Sequence, residues 1–155
     1  MNYNTYAKVI PPLRTDSDIK AIAEGVADGT IDVISSGHAP TRKEFKQREF
    51  DTAAYGISAL ETAFALSYTE LVKNGVITMS ELVNRLSEKP AKVLGLNTKG
   101  KLAVGYDADI TIADCGEEYV IDAEKFYSKA KFTPVHGRKV CGRIKHTMVG
   151  GKIIL

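Results

Sequence analysis

Ile31-Asp32-Val33-Ile34-Ser35-Ser36-Gly37-His38-Ala39-Pro40 is a short apolar run that ends in a polar turn stopped by proline. An apolar strand feeding such a turn is how an α/β barrel presents reactive side chains at its C-terminal rim. A rim of this kind usually offers a carboxylate or a pair of imidazoles. Here it offers Ser35, Ser36, Gly37 and the single His38. The stretch predicts the frame of an active site with its reactive group missing.

The flanking sequence extends the same α/β pattern. Upstream, Tyr6-Ala7-Lys8-Val9-Ile10 reads as another strand, closed by Pro11-Pro12, which cannot donate to a ladder. Between the two strands, Thr15-Asp16-Ser17-Asp18 supplies a cap and first-turn acids. Ile19, Ala23 and Val26 then make an apolar stripe that stops at Asp28-Gly29. Downstream, residues 39–55 form a polar loop long enough to suggest a functional or mobile segment. Ser58-x-x-Glu61 has the form of a capping box for a helix carrying Ile57, Leu60, Phe64, Tyr68 and Leu71, ended by Asn74-Gly75. Thr78-x-x-Glu81 starts a further helix with Leu82, Val83 and Leu86, and Pro90 opens a last turn through Val93 and Leu94.

After Gly100 the pattern turns to β. Residues 109–114 and 119–121 read as strands, and a helical turn is expected near residues 123–127. Residues 139–149 and 152–155 read as a hairpin around Gly150-Gly151. The chain therefore divides into a partial (β/α) barrel segment, residues 1–97, and a C-terminal β-sandwich segment, residues 98–155, with the boundary near residues 96–100. Each βα unit takes about 30 residues, and a closed eight-stranded barrel takes about 250. A chain of 155 residues cannot close one alone, and two open parallel strands invite pairing with another chain.

Composition narrows the function classes. Hydrophobic content of 44% and charged content of 26% are those of a globular protein. A net charge of +2 gives no field that argues for nucleic acid or a membrane surface. Arg42, Lys43, Lys46 and Arg48, interleaved with Glu44 and Glu49, read as a solvated loop. Asp16 and Asp18 likewise read as surface carboxylates on a helix. Cys115 and Cys141 are too far apart for a CxxC motif and read as two reduced thiols. The N-terminus lacks a basic start and apolar core, and no apolar stretch nears the roughly 20 residues of a membrane helix. A cytoplasmic location is the expectation.

Lys8-Val9-x-Pro11-Pro12-Leu13-Arg14, Asp28-Gly29-Thr30-Ile31-Asp32-Val33-Ile34, His38-Ala39-Pro40, Tyr55-Gly56-Ile57-x-x-Leu60-Glu61-Thr62, Gly105-x-Asp107-Ala108-Asp109, Thr133-Pro134-x-x-Gly137 and Val149-Gly150-Gly151-Lys152 follow one another in order. Together they closely resemble the C-terminal part of dihydroorotase, from about residue 6 onward. Dihydroorotases are amidohydrolases that interconvert N-carbamoyl-L-aspartate and dihydroorotate in pyrimidine synthesis. They use zinc at the mouth of a TIM barrel that carries a β-sandwich domain. The resemblance implies an α/β fold: a C-terminal fragment of a TIM barrel, its last two βα units plus helices, followed by a β-rich sandwich segment.

Zinc hydrolysis needs several imidazoles and carboxylates to hold the metal and lower the pKa of its water. The family's His-x-His pair and further ligands lie on earlier strands, and no His-x-His occurs here. At the family's metal-binding and proton-shuttling aspartate this chain has Gly37. The substrate-contacting histidine after His-Ala-Pro is Thr41, and the asparagine before Pro11 is Ile10. Of the substrate contacts only Tyr55 and Gly56 remain, and these act in the family through backbone groups. His38 reads as an imidazole that holds the rim loop through hydrogen bonds.

The expectation is a chain with no catalytic residue, no metal ligand and no cofactor of its own, inactive alone and serving as a structural or assembly chain. Its partner would be a second copy or another protein, such as the pyrimidine-pathway enzyme aspartate carbamoyltransferase. No nucleic acid or membrane is expected. The alternative is an active dihydroorotase completed by a separate chain that supplies the zinc ligands. Gly37 weighs against it, since a missing proton shuttle costs roughly 10² to 10⁴ in rate.

Overall fold

The computed structural model describes residues 3–154. A short 3₁₀ turn, Thr5–Ala7, leads into an extended stretch and then helix α1, Asp16–Ala27. The start of α1 is as the sequence predicts. The Asp18 carboxylate accepts from the Thr15 amide at 3.0 Å and from its hydroxyl at 2.7 Å. The one-turn helix α2, Lys43–Lys46, interrupts the long loop.

The two barrel strands expected at residues 6–10 and 31–34 form no ladder among the described residues. Part of the first is the 3₁₀ turn, and the second is extended chain. A parallel strand needs a neighbour on each side to satisfy its backbone, and here side chains do that work instead. Arg85 is buried and donates through Nε to Ile31 O (3.3 Å) and through a terminal nitrogen to Val26 O (2.5 Å). Its own carbonyl accepts from Ile34 N at 3.1 Å.

The helix expected over residues 57–74 begins later and changes pitch. A 3₁₀ turn, Leu60–Thr62, runs into α3, Ala63–Ser67, and then into a wider π turn, Tyr68–Lys73. Ser58 and Glu61 do not form the predicted capping box. The Ser58 hydroxyl donates to Ala130 O at 2.6 Å, and the Glu61 carboxylate accepts from Tyr127 N (2.8 Å) and Ser128 N (3.0 Å). Both side chains are drawn away from their own helix to hold the segment before β2, because that segment has no ladder of its own. Leu60, expected on the apolar stripe, is exposed.

Thr78 and Glu81 do form their box, with Thr78 N donating to Glu81 Oε2 at 2.7 Å. It opens α4, Met79–Val83, which continues through a π turn, Asn84–Glu88, into α5, Lys89–Val93, with Pro90 in its first turn.

The β-rich half is a three-stranded antiparallel sheet in the order β1-β2-β3, with β1 Ile110–Val120, β2 Lys139–Val149 and β3 Lys152–Ile153. The two strands expected at 109–114 and 119–121 are one long strand with an irregularity between Asp114 and Glu118. The Asp114 carboxylate caps that bulge by accepting from Gly116 N and Glu117 N. The β2–β3 hairpin turns at Gly150 (φ +55°) and Gly151 (φ +77°), as the sequence predicts. Residue 155 lies outside the described residues.

One helical segment joins the halves. Ala65 and Leu66 pack with Ile121, Ala123, Phe126 and Val140 on the sheet side. Phe64, Tyr68 and Leu71 face Val26, Ile77 and Leu82 on the other. Gly142 (φ +92°) lets β2 close on the stacked Phe64–Tyr68 pair, for a Cβ there would lie 3.0 Å from the Phe64 ring. No helix of the described residues is long and apolar enough to cross a membrane.

Candidate functional site

The rim turn is built by backbone pairing. Ala39 and Ile57 exchange both hydrogen bonds at 2.9 Å, which ties His38-Ala39-Pro40 to the entry of the 60–73 segment. His38 Nδ1 accepts from Ala59 N (3.1 Å) and Leu60 N (3.2 Å), satisfying amides at the start of the 3₁₀ turn. His38 thus holds the rim loop through hydrogen bonds, with Nδ1 as acceptor.

Gly37 is exposed and left-handed at φ +58°, and a Cβ built on it would meet nothing within 4 Å. Ile10 is 72% exposed. Thr41 lines a cleft of about 650 Å³ with Arg42, Lys43, Ser128 and Lys129. Tyr55 lines a different cleft of about 310 Å³ with Lys8, Pro12 and Phe50. The structure therefore places Thr41 and Tyr55 on separate concavities, with Ile10 and Gly37 in neither. Gly56 is buried at φ +127°, its N–H donates to Lys8 O (3.0 Å) and its carbonyl accepts from Lys46 Nζ (2.9 Å).

Lys46 departs furthest from its sequence pattern at this site. The interleaved charges around it predict a solvated basic loop, yet its side chain is fully buried. Its Nζ donates to three carbonyls: Lys8 (3.1 Å), Ala54 (3.0 Å) and Gly56 (2.9 Å). Burial first, and the neighbouring Lys8 ammonium second, push its pKa below the ordinary lysine value. Lys8 is also buried, donating to Phe50 O (2.7 Å) and Asp51 O (2.9 Å) beneath the Tyr55 ring. Nothing in the sequence distinguishes Lys46 from Lys43 beside it, because acceptors made of backbone carbonyls leave no mark on residue type.

Among the described residues no three His, Cys, Asp or Glu side chains converge on a metal position. Cys141 is buried and accepts a hydrogen bond from Lys73 Nζ at 2.9 Å, and Cys115 is a free thiol. The His136 Nδ1 accepts from Ala123 N at 3.1 Å in the β-rich half.

The sequence pattern of the amidohydrolase family matches residues 8–154. This chain belongs to the amidohydrolase family. The amidohydrolase chain is 48% identical over 154 residues to a dihydroorotase of Acetivibrio thermocellus, covering 99% of this chain and 36% of that protein. It is 52% identical over 152 residues to a dihydroorotase of a Thermoanaerobacter species, covering 98% of this chain and 35% of the relative. The chain spans about a third of the length of these curated relatives. Among solved structures it resembles the L-hydantoinase of Arthrobacter aurescens, with TM-score 0.91 and 34% identity over 99% of this chain and 35% of that one. The dihydropyrimidinase of Brevibacillus agri gives TM-score 0.91 at 26% identity, over 97% of this chain and 34% of the other. The fold described above thus matches that of hydantoinase and dihydropyrimidinase structures over nearly the whole chain.

Zinc is the metal that the resemblance to dihydroorotase implies, and the described residues of the rim turn do not fit it. At the rim, the His38 Nδ1 is engaged by two amides, and Ser35, Ser36, Gly37 and Thr41 bring neither carboxylate nor imidazole.

Proposed function

We propose that this chain is the C-terminal part of a dihydroorotase-type amidohydrolase, the last two βα units of a TIM barrel followed by the sandwich segment, and that it works as a structural or assembly chain rather than a catalyst on its own. The observation that carries the reading is the donor set of the rim. Gly37 stands at the family's aspartate position, in open space that would admit a side chain. The space there would hold a carboxylate side chain, while the left-handed backbone (φ +58°) favours glycine.

The exposed apolar surface supports an assembly role. Val93, Leu94, Leu102 and Val104, close together in the chain, are largely or wholly exposed. Scattered exposed apolar residues are ordinary, but several along one segment suit a covering chain. The partner would be a second copy or a chain supplying the remainder of the barrel.

Light scattering on the purified chain, alone and mixed with the remaining two-thirds of a dihydroorotase relative, tests this. The proposal expects a complex in one of the two samples, without cyclisation of N-carbamoyl-L-aspartate. A monomer in both samples removes the assembly role, and turnover in the mixture replaces it with an enzyme completed in two pieces.

A further inference from the structure

We infer that Lys46 is a positioning residue of the rim: its buried ammonium gathers the carbonyls of Lys8, Ala54 and Gly56 and so presets the turn that sets Tyr55 at its cleft. An ammonium has three N–H donors, and all three find carbonyl acceptors between 2.9 and 3.1 Å. The Phe132 ring lies 5.6 Å from Nζ. The cation near Lys46 that the structure does show, Lys8, repels it.

Space filling does not call for a cation in this position. A methionine would occupy a similar volume without the cost of desolvating a charge. What only the ammonium can do is collect three carbonyls at one point. Those carbonyls belong to two stretches distant in sequence. Lys8 lies two residues before Ile10, and Ala54 and Gly56 flank Tyr55.

The neighbouring bonds show the same convergence. Lys8 O receives both Lys46 Nζ and Gly56 N. Ala54 N donates to Phe45 O at 2.9 Å, so α2 is tied to the loop return by backbone as well as by the Lys46 side chain. Gly56 then hands the alignment to the His-Ala-Pro turn through the Ala39–Ile57 pair. A turn fixed in this way is ready before any ligand arrives, which lowers the ordering cost of binding.

The inference rests on the reading of Tyr55 and Gly56 as rim contacts, but its test uses neither metal nor turnover, so its failure leaves the proposed function standing. Amide hydrogen exchange is measured by NMR on the whole chain, wild type and Lys46→Met. The rim reporters are the amides of Ala39, Gly56 and Ile57; the distant references are Ile121 and Gly137, which pair with Arg138 O and Ile121 O. The rim amides should exchange at least about tenfold faster in Lys46→Met while the references hold, since charged hydrogen bonds are lost locally. Unchanged rim amides, or acceleration of all five together, would overturn the inference and make Lys46 an ordinary core residue. If Lys46→Met does not fold, Lys46→Gln, which keeps two donors without the charge, is read by the same criteria.

Discussion

Gly56→Ala should be the most damaging single-methyl addition on the rim. A Cβ at Gly56 would lie 2.2 Å from Ala39 O, and no rotamer can relieve that contact because both atoms belong to the backbone frame. The residue also holds φ +127°, where an L side chain is strained, at about 1–3 kcal/mol. Relief requires the 39–40 turn to move off, which breaks the two Ala39–Ile57 bonds at about 0.5–1.5 kcal/mol each. The sum is about 2–6 kcal/mol, a large share of the roughly 5–15 kcal/mol that holds a domain together. Gly37→Ala is the matched control, left-handed at φ +58° but with open space around its Cβ, and should cost about 1 kcal/mol. Urea unfolding midpoints at equal m values measure both. Equal losses in the two variants would refute the argument that close approach to Ala39, and not backbone conformation alone, makes glycine necessary at position 56.

Ser58→Ala should cost about 1–3 kcal/mol, because it strips the donor from a buried carbonyl of Ala130; an unchanged urea midpoint would mean the 127–130 segment is held by something else. Acid should destabilise the fold through carboxylates held below their ordinary values: Asp18 by the Thr15 hydroxyl and amide, Glu81 by the Thr78 amide and hydroxyl, and Asp109 by Lys99 and then the Gly150 amide. Their contribution is complete above the ordinary value of 3.8 for Asp109 and is lost as pH falls through its lower folded value, so Asp109→Asn should flatten the acid limb of a stability–pH curve. Lys99 works in the other direction: pushed up to about 12 by Asp109 and Asp107, it stabilises fully below 10.5 and stops doing so as pH rises through about 12. An alkaline limb unaffected by Lys99→Met would show that this ion pair is not coupled to folding.

Some elements could be read from residue types because their determinants are local. The α1 cap, the Thr78–Glu81 box, Pro90 in a first turn and the Gly150-Gly151 hairpin each depend on groups within four residues of one another. The elements that differ depend on distant partners. Ser58-x-x-Glu61 has the local form of a cap, yet its side chains bond residues more than sixty positions away. Residues 6–10 and 31–34 have strand composition, yet no neighbouring strand exists among the described residues, and Arg85 and Lys46 take up their carbonyls. At the rim, His38 was legible as a loop-holding imidazole. Lys46 was not, since its acceptors are peptide carbonyls supplied by chain geometry.

On the proposed reading, the rim keeps an amidohydrolase frame without a metal centre of its own. Metal analysis of the purified chain, with cyclisation of N-carbamoyl-L-aspartate assayed on the same sample in added zinc, tests it directly. Far less than one equivalent of retained zinc and no turnover are expected. One equivalent of tightly held zinc accompanied by cyclisation would contradict that reading.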